Sequence, residues 1–177
     1  MKKTLNLIYL YSIRPITNFI MNIIWWLFHL SKLKISIESL KEYIKQSDCL
    51  YSIERIMRNF KWASDPLRGG LDWTPWPVTI IGKSLKDDCD GAASFSCFLC
   101  KKAADVEFAD VYLIYDGFFH GGHAITIGKK KDSVNWFCFN NGSYFENRSF
   151  EAIMNMFKEH KLTAYGKYEN LWWNKLL

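Results

Sequence analysis

No low-complexity segment and no internal repeat interrupts this chain, so beyond its N-terminal segment it reads as one continuous domain. Its five cysteines, at positions 49, 89, 97, 100 and 138, are an odd number. They include only one Cys-x-x-Cys pair, Cys97 to Cys100, and that pair lies inside an apolar helical run. A tetrahedral zinc site of this kind needs a second pair, and a disulfide framework needs even, secreted-type spacing. Most of these thiols therefore read as small core hydrophobes of a reducing compartment, and neither a metal nor a cofactor is expected. Acidic residues are missing before Glu38, whereas Lys2, Lys3, Arg14, Lys32 and Lys34 precede it. From residue 38 onward, 18 basic residues face 18 acidic ones, so the formal charge of +5 belongs to the N-terminal segment. A neutral body lacks the clustered Lys and Arg that displace counterions from a phosphate backbone, which excludes a general nucleic-acid surface.

What is present is enough apolar material for a real core. At 177 residues, 49% hydrophobic and 17% aromatic, the chain can close one compact domain and is too short for two large ones. The expected organisation is a basic amphipathic segment over residues 1–34 followed by a folded domain over 35–177.

Residues 15–31 carry no formal charge, yet Asn18, Asn22 and His29 interrupt them, and the run is short of the roughly 20 apolar residues a membrane span needs. Arg14, Asn18, Asn22 and His29 follow one another at spacings of four, four and seven, which draws a polar stripe beside a broad apolar face. The segment thus reads as a helix packed on the domain's own core or as an interfacial helix on a membrane surface. A signal peptide or signal anchor is the third reading, because Lys2-Lys3 precedes a short apolar run; no small-x-small cleavage site follows. A cytoplasmic or membrane-associated protein fits these features better than a secreted, disulfide-bonded one.

Helical spacing recurs over Glu38–Gln46 at Leu40, Tyr43 and Ile44. It recurs again from Cys49 to Lys61, where Leu50, Ile53, Ile56, Met57 and Phe60 form the apolar face and Asp48 is the expected N-cap. Residues 63–76, with two prolines, two glycines and two tryptophans, predict an ordered loop. From Cys89 to about Ala104 the pattern is helical once more, which places Cys89 in a first turn. There the helix dipole favours thiolate. Asp87, Asp88 and Asp90 oppose it, so ionisation would need a cationic partner.

Three strands follow at 109–115, 122–128 and 134–140, separated by turn signals at Asp116-Gly117, Gly121-Gly122 and Lys129–Ser133. An antiparallel meander is the simple arrangement. In the second strand His123 shares a face with Ile125 and Ile127, and the third ends in Asn140-Asn141, where a side-chain amide can accept a hydrogen bond from imidazole and set its tautomer.

A cysteine at a helix start, a histidine on a following strand and an amide at the end of the next resemble the transglutaminase-like branch of the papain-like fold, most closely the bacterial transglutaminase-like cysteine peptidases. The matching pieces are Asp72-Trp-Thr-Pro75 with Trp76-Pro77, Asp88-Cys-Asp-Gly-Ala92, His123-Ala-Ile-Thr-Ile127 and Trp136-Phe-Cys-Phe-Asn-Asn141. They cover roughly residues 55–145, with 34 residues from Cys89 to His123 and 17 more to Asn140. The resemblance implies an α+β fold in which N-terminal helices and a Cys-bearing helix pack on a short antiparallel sheet. It also implies a cysteine peptidase or amidase, or a transglutaminase, acting on a peptide or protein substrate. Cys89 would be the nucleophile, His123 the general acid/base and Asn140 the residue that orients it, with Trp73, Trp76, Asp88 and Gly122 as the substrate-contacting positions. The Cys89 backbone N–H would be one oxyanion donor, with a second from a group near Trp73 or Trp76. Two positions depart from the family's pattern: its usual glycine before the Asp-Cys pair is Asp87 here, and its usual aspartate is Asn140.

Asp88-Cys-x-Gly91 also resembles the Asp-Cys-Ser-Gly element of NlpC-like cell-wall endopeptidases, and His123–Gly128 resembles their histidine strand. A non-catalytic binding or structural protein on the same fold is the third alternative. Elsewhere the plain readings apply. His120 is a loop residue, Lys129–Lys131 a solvated hairpin tip, and Asp110 and Asp116 surface groups. Ser149 is the expected cap of a last helix that buries Phe150, Ile153, Met154 and Phe157, and Leu171–Leu177 is apolar enough to dock on the domain or on a partner.

Overall fold

The computed structural model describes residues 14–64, 73–115, 122–158 and 164–167. Its order is α1 (Arg14–Phe28), α2 (Leu30–Gln46), α3 (Leu50–Met57), β1 (Lys61–Trp62), α4 (Pro77–Gly82), β2 (Lys86–Asp87), α5 (Cys89–Cys100), β3 (Val106–Tyr115), β4 (Gly122–Lys130), β5 (Trp136–Asn140), β6 (Ser143–Asn147), α6 (Phe150–Lys158) and β7 (Ala164–Lys167). The fold is mixed α and β. Strands β3 to β7 form one antiparallel sheet in the order β6-β5-β4-β3-β7, while the short β1 and β2 pair with each other in parallel.

Helix α5 is buried along its length and lies on the sheet. Its Phe95, Phe98 and Leu99 meet Ala109, Val111, Ala124, Phe137 and Phe139, which alternate along β3, β4 and β5 onto one face. Burying each aromatic ring here contributes on the order of 1.5–3 kcal/mol. The opposite face, through Ile114, Ile125, Ile127 and Cys138, is covered by Ile153, Met154 and Phe157 of α6. Buried polar contacts pin α5 to β4: the Ser96 and Thr126 hydroxyls lie 2.8 Å apart in the core, and Thr126 Oγ1 also donates to the Ala93 carbonyl at 2.6 Å. With every hydroxyl partnered, the pair carries little desolvation penalty.

Several expected elements change in extent. The helix expected from Glu38 begins at Leu30, so position 34/35, the expected division of the chain, falls inside α2. Asp48 is not the cap of α3. Cys49 holds the N-cap position without a side-chain bond, and the carboxylate of Asp105, 55 residues away, accepts the Leu50 N–H at 3.2 Å. Asp48 instead accepts from the Ser52 side chain, which holds its carboxyl below the usual range. Lys129 and Lys130 are not a hairpin tip, because β4 continues through them opposite Phe108 and Val106, and they pair with Glu107 at 3.2 Å and Glu146 at 3.7 Å. Ser149 does cap α6, accepting the Ala152 N–H at 3.1 Å. Strands β6 and β7 and helix α4 were not anticipated. β5 turns into β6 at Asn141 and Gly142, both at positive φ (47° and 87°), the geometry in which an Asn-Gly pair closes a hairpin.

The N-terminal helix packs in the sense opposite to an ordinary surface helix. Its polar stripe faces inward: Arg14, Asn18 and Asn22 are buried, with Trp26 one turn further along. Asn18 Oδ1 accepts the Thr74 N–H at 3.0 Å, and Asn22 Oδ1 accepts the Trp76 N–H at 2.8 Å and the Thr79 hydroxyl at 2.7 Å. Trp26 Nε1 donates to the same Thr79 hydroxyl at 3.0 Å. His29, expected to extend the stripe, stacks on Trp25 with ring centroids 4.1 Å apart. Among the described residues no helix is long and apolar enough to cross a membrane.

Candidate active site

The first turn of α5 is built around Asp88, which takes an extended conformation as N-cap and accepts the Asp90 N–H at 3.2 Å. Cys89 is therefore the first helical residue, a position whose backbone N–H has no partner within the helix. Its half-buried thiol receives a hydrogen bond from the Ala124 N–H on β4. That contact brings the sulfur to the residue next to His123.

His123 stands at the open end of the sheet. The pairing of β4 with β5 ends at Thr126 and Phe139, and beyond that rung the side chains carry the contact. His123 Nε2 donates to Asn140 Oδ1 at 2.6 Å, and the Phe157 ring lies 6.0 Å from the imidazole, between centroids. A proton on Nε2 leaves Nδ1 as the basic nitrogen. The structure thus joins His123 to Asn140 directly, and Cys89 to the strand that carries His123.

Electrostatics around the sulfur run against ionisation. Burial pushes the Cys89 thiol up to about 12; the Ala124 N–H pulls it down, Asp88 and Asp90 push it further up, and Arg14 opposes them. The helix dipole and one cation do not overcome desolvation. A thiol held that high favours its protonated form at neutral pH.

A second layer fixes this turn from behind. Arg14 Nη2 meets Asp90 Oδ2 at 2.5 Å, and the Thr74 hydroxyl donates to the same oxygen at 2.7 Å. Asp87 is buried and paired with Lys83. Its carboxylate fills the space beside Gly91, where a Cβ would collide with it. Asp87, Asp88 and Asp90 bring carboxylate oxygens within 4.8 Å of one another. Lys83, the Asp90 N–H and Arg14 already engage them, so the cluster serves capping and packing.

The expected substrate-contacting positions fall in different places. Trp73 is buried, with Lys83 Nζ 4.8 Å above its ring, and presents almost no surface to a ligand. Trp76 is half-buried, its ring 5.9 Å from that of Phe19. Gly122 is exposed at the start of β4, beside His123. Asp72, Asp116, His120 and the stretch 171–177 lie outside the described residues. Sequence reasoning missed Arg14, Thr74 and Phe157 as supports of the site. Arg14 was visible as the head of a polar stripe; nothing in the pattern said that the stripe faced inward. No family model, no curated protein and no solved structure matches this chain.

Proposed function

We propose that this chain is a thiol-dependent acyl-transfer enzyme acting on amide bonds of a peptide or protein, built on a papain-like core of the transglutaminase type. The carrying observation is the 2.6 Å bond from His123 Nε2 to Asn140 Oδ1, on a strand whose next N–H holds the Cys89 thiol.

In this reading His123 Nδ1 takes the thiol proton as Cys89 Sγ attacks the amide carbonyl carbon. The protonated thiol of the resting state calls for general-base assistance at the attack, as with a serine nucleophile, and not for a stored thiolate–imidazolium pair. The oxyanion is met by the Cys89 N–H at the head of α5. Collapse of the tetrahedral intermediate expels the amine, which takes the proton from His123, and leaves a thioester on Cys89. Water then releases an acid, as in a peptidase or amidase, or a second amine forms a new amide, as in a transglutaminase. Asn140 keeps the imidazole in the correct tautomer but adds no negative charge to stabilise imidazolium.

The test incubates purified protein with fluorogenic peptide amides, with a glutamine-containing protein plus a fluorescent amine, and with peptidoglycan stem peptides. Turnover that disappears in Cys89→Ala and His123→Ala supports acyl transfer. Stem-peptide cleavage alone would favour the NlpC-like reading. A second reading, a catalytically silent binding domain on the same fold, draws on the Cys89 thiol pushed up to about 12. No turnover on any of these substrates by protein that circular dichroism shows to be folded would favour the silent domain over the enzyme.

A further inference from the structure

We propose that α1 is a membrane-docking helix that lies in the headgroup region of an anionic bilayer without crossing it. Because its polar stripe is consumed inside the fold, its apolar stripe is left outside: Ile16, Phe19, Ile20, Ile23, Ile24 and Leu27 recur at helical spacing and are all exposed. Ile16 is 61% exposed and Leu27 64%, whereas Asn18 and Asn22 are essentially inaccessible. The stripe continues past the end of α1 through Phe28, 81% exposed, and Leu30, 62% exposed. At about 1.5 Å per residue the helix offers an apolar edge roughly 22 Å long. An apolar strip of that extent on a protein's surface marks a contact site.

Charge identifies the occupant. Lys32 and Lys34 are exposed just past the apolar end, and the sequence holds no acidic residue before Glu38. Apolar residues followed in the chain by cations complement anionic headgroups over acyl chains. A second copy meeting this face with its own equivalent face would set the same lysines against each other, so it gains no charge complementarity there. Among the described residues no helix is long and apolar enough to cross a bilayer, and the described part of α1 has 15 residues against the roughly 20 that a bilayer core requires. This proposal stands independently of the acyl-transfer reading.

The experiment is co-sedimentation of the full chain with vesicles of phosphatidylcholine alone and of phosphatidylcholine mixed with phosphatidylglycerol, alongside light scattering for oligomeric state. Wild-type protein should bind the anionic vesicles and release them as salt is raised. Lys32→Glu/Lys34→Glu should lower that binding about tenfold or more, at roughly 1 kcal/mol per surface cation. Ile20→Asp/Ile24→Asp should abolish it while circular dichroism stays unchanged; if that variant misfolds, the lysine variant, altered only at exposed side chains, carries the test. Absence of wild-type binding to anionic vesicles would overturn the proposal, as would binding indifferent to the lysines. A dimer that Ile20→Asp/Ile24→Asp dissociates, without vesicle binding, would assign the face to a second copy instead.

Discussion

The Arg14 guanidinium and the Asp90 carboxylate, 76 positions apart, meet at 2.5 Å where both are nearly excluded from water, one residue from the Cys89 thiol. Removing one partner leaves an uncompensated buried charge. Arg14→Ala should therefore destabilise the fold by about 3–5 kcal/mol in chemical denaturation. Arg14→Leu combined with Asp90→Leu should recover a large part of that loss. A double variant as unstable as the single one would mean that the pair is needed for packing and not only for charge.

Cys89 should react slowly with iodoacetamide at neutral pH, more slowly than free cysteine, with the rate rising as pH climbs from about 9 toward 12. Site-resolved mass spectrometry across pH reads this directly. Fast labelling of Cys89 well below the free-thiol value of about 8.5, lost in His123→Ala, would show instead that an ion pair exists in the resting protein.

The same raised ionisation fixes how stability varies with alkali. Cys89, Cys100 and Cys138 are all held above the ordinary thiol value, burial being the largest cause in each. Between the unfolded and folded values the native state binds more protons, so the stability that burying neutral thiols provides is complete below about 8.5 and is lost as pH rises toward the folded values. Urea midpoints should fall progressively above pH of about 9. Cys138→Ala should flatten that fall, because it removes one of the three groups.

Asn140→Ala should leave the fold nearly intact, since Asn140 is only half-buried, and on the acyl-transfer proposal it should lower turnover about tenfold to a hundredfold. His123→Ala should cost on the order of 10²–10⁴. Equal losses in the two variants would indicate that Asn140 sets the tautomer outright. An unaffected rate in Asn140→Ala would remove it from the site.

Gly91→Ala places a methyl group against the buried Asp87 carboxylate that Lys83 holds in place. Overpacking there should destabilise by roughly 1–3 kcal/mol, read as a lowered melting temperature. The double variant with Asp87→Ala should relieve the collision while leaving Lys83 without this partner, which separates sterics from charge.

Much of the architecture is local and was readable. The helical spacing from Cys89, the strand alternation around His123 and Asn140, and Ser149 as a cap all follow from periodicities that neighbouring residues set by themselves. Asn141-Gly142 is an equally legible hairpin signal, but Asn141 also completes the strand-end Asn140-Asn141 pair, and that second role hides β6. Asp48 failed as a cap for the opposite reason. Any carboxylate near a helix start can cap it, and Asp105 reached the Leu50 N–H from across the chain.

The sequence by itself determined the charge pattern, a neutral body after a basic, acid-free N-terminal segment, and that a cysteine would open a helix ahead of a histidine-bearing strand. Only the tertiary structure decided which face of α1 turns inward, because an amphipathic pattern specifies two faces and not which of them meets protein. It also decided the ionisation of Cys89. Helix position and nearby charges are written in the sequence, but desolvation depends on how deeply the sheet and α5 bury the sulfur, and here that effect is the largest.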